Sequence, residues 1–171
     1  MSETNNAAQQ FLTFRLNPEQ YGINVLQVRE VLEVPDITML PRMPAYMRGV
    51  INIRGLVMPV IDLRLKLGLS AEDKSIHSRV IIIESEKDGL VLVLGILVDA
   101  VHEVIDIAAD QISPPPTFGA QVDNVFMKGI ARVNEEFVVI LDLQQIFSSD
   151  ADLVKLAEGA KAMPAGVGAS N

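Results

Sequence analysis

Cysteine and tryptophan are both absent from the 171 residues, and aromatic side chains make up only 5%. Without thiols there can be no disulfide, no thiolate nucleophile and no cysteine-ligated metal, which fits a reducing compartment. With so few rings, a core must be assembled from Val, Ile and Leu, and that β-branched supply favours strands. Basic residues are the minority, 14 against 22 acidic, for a net charge of −8. No cluster of Lys and Arg interleaved with aromatics offsets this, so a phosphate backbone is repelled and nucleic acid is not an expected partner. Long apolar runs are missing too. The longest, Leu90 to Val98, contains Gly95 and stops at Asp99, far short of the roughly 20 residues of a bilayer span. Met1 leads into a polar stretch, Ser2 to Gln10, with neither the basic nor the apolar segment of a secretory leader. The expectation is a cytoplasmic protein with no direct membrane insertion.

What the chain does have is a second reading of itself. Arg48-Gly-Val-Ile-Asn-Ile-Arg-Gly-Leu-Val-Met-Pro-Val-Ile-Asp-Leu63 is echoed by Lys128-Gly-Ile-Ala-Arg-Val-Asn-Glu-Glu-Phe-Val-Val-Ile-Leu-Asp-Leu143. Gly49 precedes Asp62 by the same interval that separates Gly129 from Asp142. Upstream, Tyr21 to Val31 is echoed by Leu94 to Val104, with Gly22, Val25, Val28, Glu30 and Val31 facing Gly95, Val98, Val101, Glu103 and Val104. Each half opens on an apolar run, Phe11 to Phe14 and Val80 to Ile83. Duplicated β modules make surfaces and grooves more readily than reaction centres, because a catalytic constellation needs unlike residues converging at one place.

Short apolar segments separated by turn signals predict an all-β protein. Strands are expected at Phe11 to Leu16, on both sides of a bend within Tyr21 to Glu33, and in a hairpin of Val50 to Arg54 and Leu56 to Leu63. The second half repeats this at Arg79 to Glu84, Leu90 to Val98, Val101 to Ile107, and a hairpin of Gly129 to Val133 and Phe137 to Leu141. Asp62 and Asp142 each stand where an N-cap would start one turn of helix, over 63–67 and 143–147. Pro35 to Pro44 and Asp110 to Gly119, with its Pro114-Pro-Pro116 run, read as loops, and 121–127 as a short helix. The predicted organisation is a disordered lead over 1–9 and one domain over 10–147, followed by a weak helix (151–162) and a flexible tail within 148–171. Inside the domain, two barrels of about five strands, 10–67 and 79–147, would pack through an apolar seam.

No enzyme signature emerges. His77 and His102 are the only histidines, and neither has the converging partners of a metal site or triad. No cofactor-binding motif occurs. Asp62, Asp99 and Asp142 could in principle make a carboxylate hydrolase, but two of them already sit at equivalent cap positions. The informative charges are Arg54, at a hairpin tip beside Gly55, and Glu30, set between Val28 and Val31 with Glu103 as its twin. Asn134 stands at the position equivalent to Arg54, so the repeat does not demand an arginine there. Loop charges on a rigid β scaffold serve binding more often than stability.

Tyr21 to Val31, Met47-Arg-Gly-Val-Ile-Asn-Ile-Arg-Gly55, Met58-Pro-Val-Ile-Asp-Leu-Arg64, Gly95 to Val101 and Asp110-Gln-Ile-Ser-Pro114 resemble the CheW-type coupling proteins of bacterial chemotaxis. The likeness runs in one register over about residues 10–147. It implies two SH3-like barrel subdomains and a non-enzymatic scaffold. Such a scaffold links the cytoplasmic hairpin tips of chemoreceptors to the regulatory domain of the histidine kinase CheA and is recruited to membrane-associated receptor arrays. It also implies a partner surface of Val28, Glu30, Val31, Arg54 and Gly55, with Val98, Val101 and Val104 lining a groove from the second barrel. The same adaptor role in a type IV pilus or another chemosensory-like pathway fits these residues equally.

Overall fold

The computed structural model describes residues 8–87, 89–115 and 126–148. The expected helix over 151–162 and the tail after it lie outside these residues, as do positions 1–7 of the expected lead and most of the helix expected over 121–127. Met127, the last residue of that segment, opens a strand.

Among the described residues, eleven strands form two sheets, accompanied by two short helices. The first half supplies β1 (Ala8–Leu16), β2 (Glu19–Asn24), β3 (Val28–Glu33), β4 (Met47–Ile53), β5 (Leu56–Asp62) and α1 (Leu63–Lys66). The second supplies β6 (Arg79–Lys87), β7 (Leu90–Val98), β8 (Ala100–Ala108), β9 (Ile112–Ser113), β10 (Met127–Val133), β11 (Glu136–Leu141) and α2 (Leu143–Ser148). Ala8 and Gln9 belong to β1, paired with Ala108 and Ile107, rather than to a disordered lead. Their exposed side chains give no apolar pattern to mark a backbone that β8 holds.

The strand order is β8-β1-β2-β11-β10-β9 in one sheet and β3-β6-β7-β5-β4 in the other. The repeat is therefore real, but its lobes are not the two halves of the chain. Each sheet takes its first hairpin from one half and the rest from the other, so the expected split into 10–67 and 79–147 is incorrect. The registers match pair by pair. Leu12 faces Val104 as Ile81 faces Val31, and the parallel pair Gly22–Ile140 corresponds to Gly95–Val60. Even the sixth strand has a counterpart, since β9 pairs Ser113 with Ile130 where the other lobe makes a single bridge from Thr38 to Val50. The exchange occurs because the chain passes between sheets twice. A 3-10 turn, Val25–Gln27, carries it from β2 to β3, and Asp99 carries it from β7 to β8.

This exchange explains the unbroken apolar runs. Alternate residues of β6 point into different cores: Val80 and Ile82 join Ile51, Met58, Val60, Val93 and Leu97 inside one lobe. Ile81 and Ile83 join Leu12, Phe14, Leu94, Ile96, Leu63, Ile146 and Phe147 in the seam between the lobes. The other lobe is filled by Phe11, Ile107, Ala131, Val138 and Ile140. Strands buried on both faces read as continuous hydrophobic sequence rather than alternation. The expected seam is thus the largest core among the described residues. Asp62 and Asp142 cap their helices as their spacing predicts, accepting from the backbone N–H of Arg64 at 3.0 Å and of Gln145 at 3.2 Å.

Candidate functional site

The β4–β5 hairpin turns in two residues, Arg54 (φ 52°) and Gly55 (φ 89°), and the Gly55 N–H donates to Asn52 Oδ1 at 2.9 Å. Two consecutive left-handed residues match the right-handed twist of the flanking strands. They also aim Arg54 back across the lobe, where its guanidinium pairs with the Glu30 carboxylate on β3. The acid and the base singled out in the sequence are thus brought together. Beside them lies a hollow of ≈ 200 Å³ lined by Arg29, Glu30, Ile53, Arg54, Leu56 and Met58, with Ile82 at its floor. The Arg54 side chain is exposed and the pair is solvated, so its contribution to stability is about 0–1 kcal/mol.

The second lobe has the matching place without the arginine. Asn134 (φ 51°) and Glu135 (φ 67°) form its tip. A hollow of ≈ 300 Å³ there is lined by Arg15, Gln20, His102, Glu103, Ile105, Val133, Asn134 and Glu136. Its nearest ion pair is Arg15 with Glu136 at 3.7 Å. The two hairpins share one fold and carry different charges, so a partner that reads Arg54 has no equivalent target on the other lobe.

The apolar candidates divide by burial. Val31 and Val104 are 39% and 46% exposed, and Val28 and Val101 rest half-buried against the seam. Val98 does not belong with them. It is 1% exposed and part of the shared core, so it presents no surface to a partner and its assignment to the groove is incorrect. The reason is parity: Val98 ends β7 on its inward face, and the chain changes sheets at the next residue.

Several residues were missed in the sequence. Leu26, in the 3-10 turn between β2 and β3, is 89% exposed; a large apolar residue inside a three-residue turn is the signal that was available. Ile37, Met39, Leu40, Met43 and Met47 line a separate hollow of ≈ 450 Å³ rimmed by Arg42, Arg48 and Lys74. No acidic residue lines it among the described residues, and no ion pair of these three cations occurs there. On a chain of net charge −8, that basic, methionine-lined concavity is distinctive. It shares no lining residue with the hollow at Arg54.

The three aspartates weighed for catalysis have structural partners. Asp62 and Asp142 are caps, and Asp99 is held by Arg64. Among the described residues no group of His, Asp and Glu is arranged to hold a metal ion. Burial pushes the Asp62 carboxyl above its ordinary range, opposed by the backbone N–H groups of Leu65 and Arg64 and by the Arg48 charge. A folded-state value above the unfolded one, about 4, means that the folded state binds the proton more tightly. Stability from this group is therefore present at low pH and lost as pH rises through the folded value. Asn also caps well. Asp62→Asn should remove this slope and leave the protein at least as stable as wild type at neutral pH. Melting both proteins across pH 3–8 checks it, and parallel curves would contradict it.

Duplicated β lobes joined by a common core and carrying two unlike surfaces are the architecture of a scaffold or adaptor. The CheW-like domain family matches residues 10–151, and the chain belongs to that family. A probable chemotaxis protein CheW from Rhizobium etli is 31% identical over 84% of this chain and 90% of its own length. The chemotaxis protein CheW of Helicobacter pylori is 32% identical over 86% and 87%. The crystal structure of the scaffolding protein TtCheW from Thermoanaerobacter tengcongensis matches with a TM-score of 0.72 and 38% identity, covering 82% of this chain and 92% of that one. The protein is an adaptor of chemotaxis signalling. No helix among the described residues is long and apolar enough to cross a membrane.

Proposed function

We propose that the chain couples the cytoplasmic hairpin tips of chemoreceptors to the regulatory domain of the histidine kinase CheA, working in the cytoplasm at membrane-associated receptor arrays. The observation that carries this reading is the presence of two separate surfaces on one body. One is the Glu30–Arg54 pair at the hairpin tip, and the other is the methionine-lined basic hollow. An adaptor needs two such sites held at a fixed distance, so that a displacement at one is delivered to the other. The half-buried Val28 and Val101 and the exposed Val31 and Val104 lie on the seam side of β3 and β8 and would line the groove that the family resemblance implies, an apolar centre of the kind a modest protein interface uses. Micromolar affinity, about 8 kcal/mol, suffices because an array makes binding multivalent.

Arg54→Glu places two carboxylates opposite each other at the tip. It should abolish saturable binding of the CheA regulatory domain or of a receptor-tip fragment, while changing stability by no more than about 1 kcal/mol. Calorimetric titration beside thermal melting decides it. Unchanged binding to both partners would remove Arg54 from the interface, and absence of binding by wild type to either would end the coupling assignment.

A further inference from the structure

We infer that Arg64 is a positioning residue: it forms an ionic latch that locks one of the two crossovers between the lobes and so sets the shape of the groove between them.

Arg64 lies in α1, directly after β5 of one sheet, and its side chain is only 8% exposed. From there it reaches three other segments. Nε donates to the Ser70 carbonyl at 2.7 Å. Nη1 donates to the Asn17 carbonyl at 3.0 Å and to Asp99 Oδ2 at 2.9 Å, and Nη2 lies 3.6 Å from Glu72. Asn17 is in the β1–β2 turn of the other sheet, and its own N–H donates to the same Asp99 Oδ2 at 2.7 Å. The Asp99 N–H donates to the Arg15 carbonyl at 3.0 Å. Asp99 is the residue at which the chain leaves β7 for β8. One guanidinium therefore ties a helix of one lobe, a turn of the other and the crossover itself into a closed cycle of charge-assisted bonds, the stronger kind of hydrogen bond.

The repeat supplies an internal control. Gln144 occupies the position of Arg64 in the second half and makes the corresponding bond, to the Glu86 carbonyl at 3.3 Å. The crossover on that side has Leu26 where the other has Asp99. Leu26 carries no charge and is 89% exposed, and its N–H donates to Asn24 Oδ1 at 2.9 Å. Among the described residues, one crossover is locked by a nearly dry ion pair and the other is not. Val28 stands two residues past the free crossover and Val101 two past the locked one, and both pack on the seam. A shift at Asp99 thus moves Val101 relative to Val28 and changes the width of the groove.

That the groove serves a partner rests on the coupling reading; the latch itself does not. The chain has no cysteine, so spin labels can be placed without background at Glu33→Cys on β3 and Asp106→Cys on β8, both exposed and at equivalent repeat positions. Pulsed dipolar spectroscopy should give one narrow distance in wild type. With Arg64→Gln, which installs the neutral partner that the second half uses, the distribution should broaden or shift. Affinity for the receptor tip should fall about tenfold or more, in the range of ordinary couplings between sites. Asp99→Asn, which keeps the side-chain acceptor and removes the charge, gives the same distance test if Arg64→Gln does not fold. An unchanged narrow distance in a folded variant overturns the latch, even if melting falls. A changed distance with unchanged affinity leaves the latch in place and counts against the groove as the coupling surface.

Discussion

Val98→Asp is expected to unfold the protein, whereas Val104→Asp, six residues along the chain, is expected to leave its melting nearly where it was. Val98 is buried in the seam that both lobes share, in the same cluster as Leu94, Ile96 and Val80's neighbour Ile81. A carboxylate there has no partner, and an unpaired buried charge costs several kcal/mol even after relaxation. Whole domains are stable by only about 5–15 kcal/mol, and the seam is the part of the core on which both sheets depend. Val104 is 46% exposed on β8, and surface exchanges of this kind change stability by about 0.5 kcal/mol, or somewhat more where β-propensity is lost. Circular dichroism melts of the two variants separate these outcomes. A Val98→Asp protein that melts like wild type would return Val98 to the surface. Under the coupling reading, Val104→Asp should instead weaken receptor-tip binding while the fold persists.

The contrast between these two valines shows what was legible in the sequence. The repeat, both hairpins, the two aspartate caps and the seam could all be read, because each rests on local spacing or on the turn chemistry of a few residues. Glu30 and Arg54 could be singled out, since a charge inside an apolar pattern is visible without knowing what it touches. Which strand pairs with which could not be read. A duplicated sequence is equally consistent with lobes made from each half and lobes that exchange hairpins, and only the direction taken at Leu26 and Asp99 decides between them. Val98 fell on the wrong side of that choice. The family resemblance placed it in a groove with Val101 and Val104, whereas the strand it ends is buried there. Arg64 could be quoted as part of a motif, but not recognised as a hub, because all of its non-local partners lie on turns and linkers that sequence periodicity does not address.

Gly49→Ala and Gly129→Ala should both be strongly destabilising, with Gly49→Ala the worse of the two. A methyl at Gly49 would lie 2.2 Å from the Thr38 carbonyl oxygen and 2.8 Å from Ile37 Cγ2. At Gly129 it would lie 2.3 Å from the Ser113 carbonyl oxygen and 2.6 Å from Ile112 Cγ2. These are backbone overlaps, and the backbone cannot swing aside cheaply. Thr38 is fixed by reciprocal 2.9 Å bonds with Val50, and Ser113 is paired with Ile130. Overpacking of this kind costs about 1–3 kcal/mol where neighbours can yield, and more where they cannot. Gly49 also has φ +142°, a conformation that L residues avoid, which adds about 1–3 kcal/mol. The expected loss is therefore about 3–5 kcal/mol at Gly49 and about 2–3 kcal/mol at Gly129, read from urea midpoints at a constant slope. Equal losses would mean that the positive φ contributes nothing and that crowding alone selects glycine. The functional consequence falls on one lobe. The bridge at Thr38 seats the β4–β5 hairpin whose tip holds Arg54 against Glu30, and the chain between Thr38 and Gly49 forms the methionine-lined hollow. A methyl at Gly49 that the fold survives should disturb the Glu30–Arg54 pair and the methionine-lined hollow together. The same methyl at Gly129 displaces only a hairpin tip that carries Asn134 in place of the arginine.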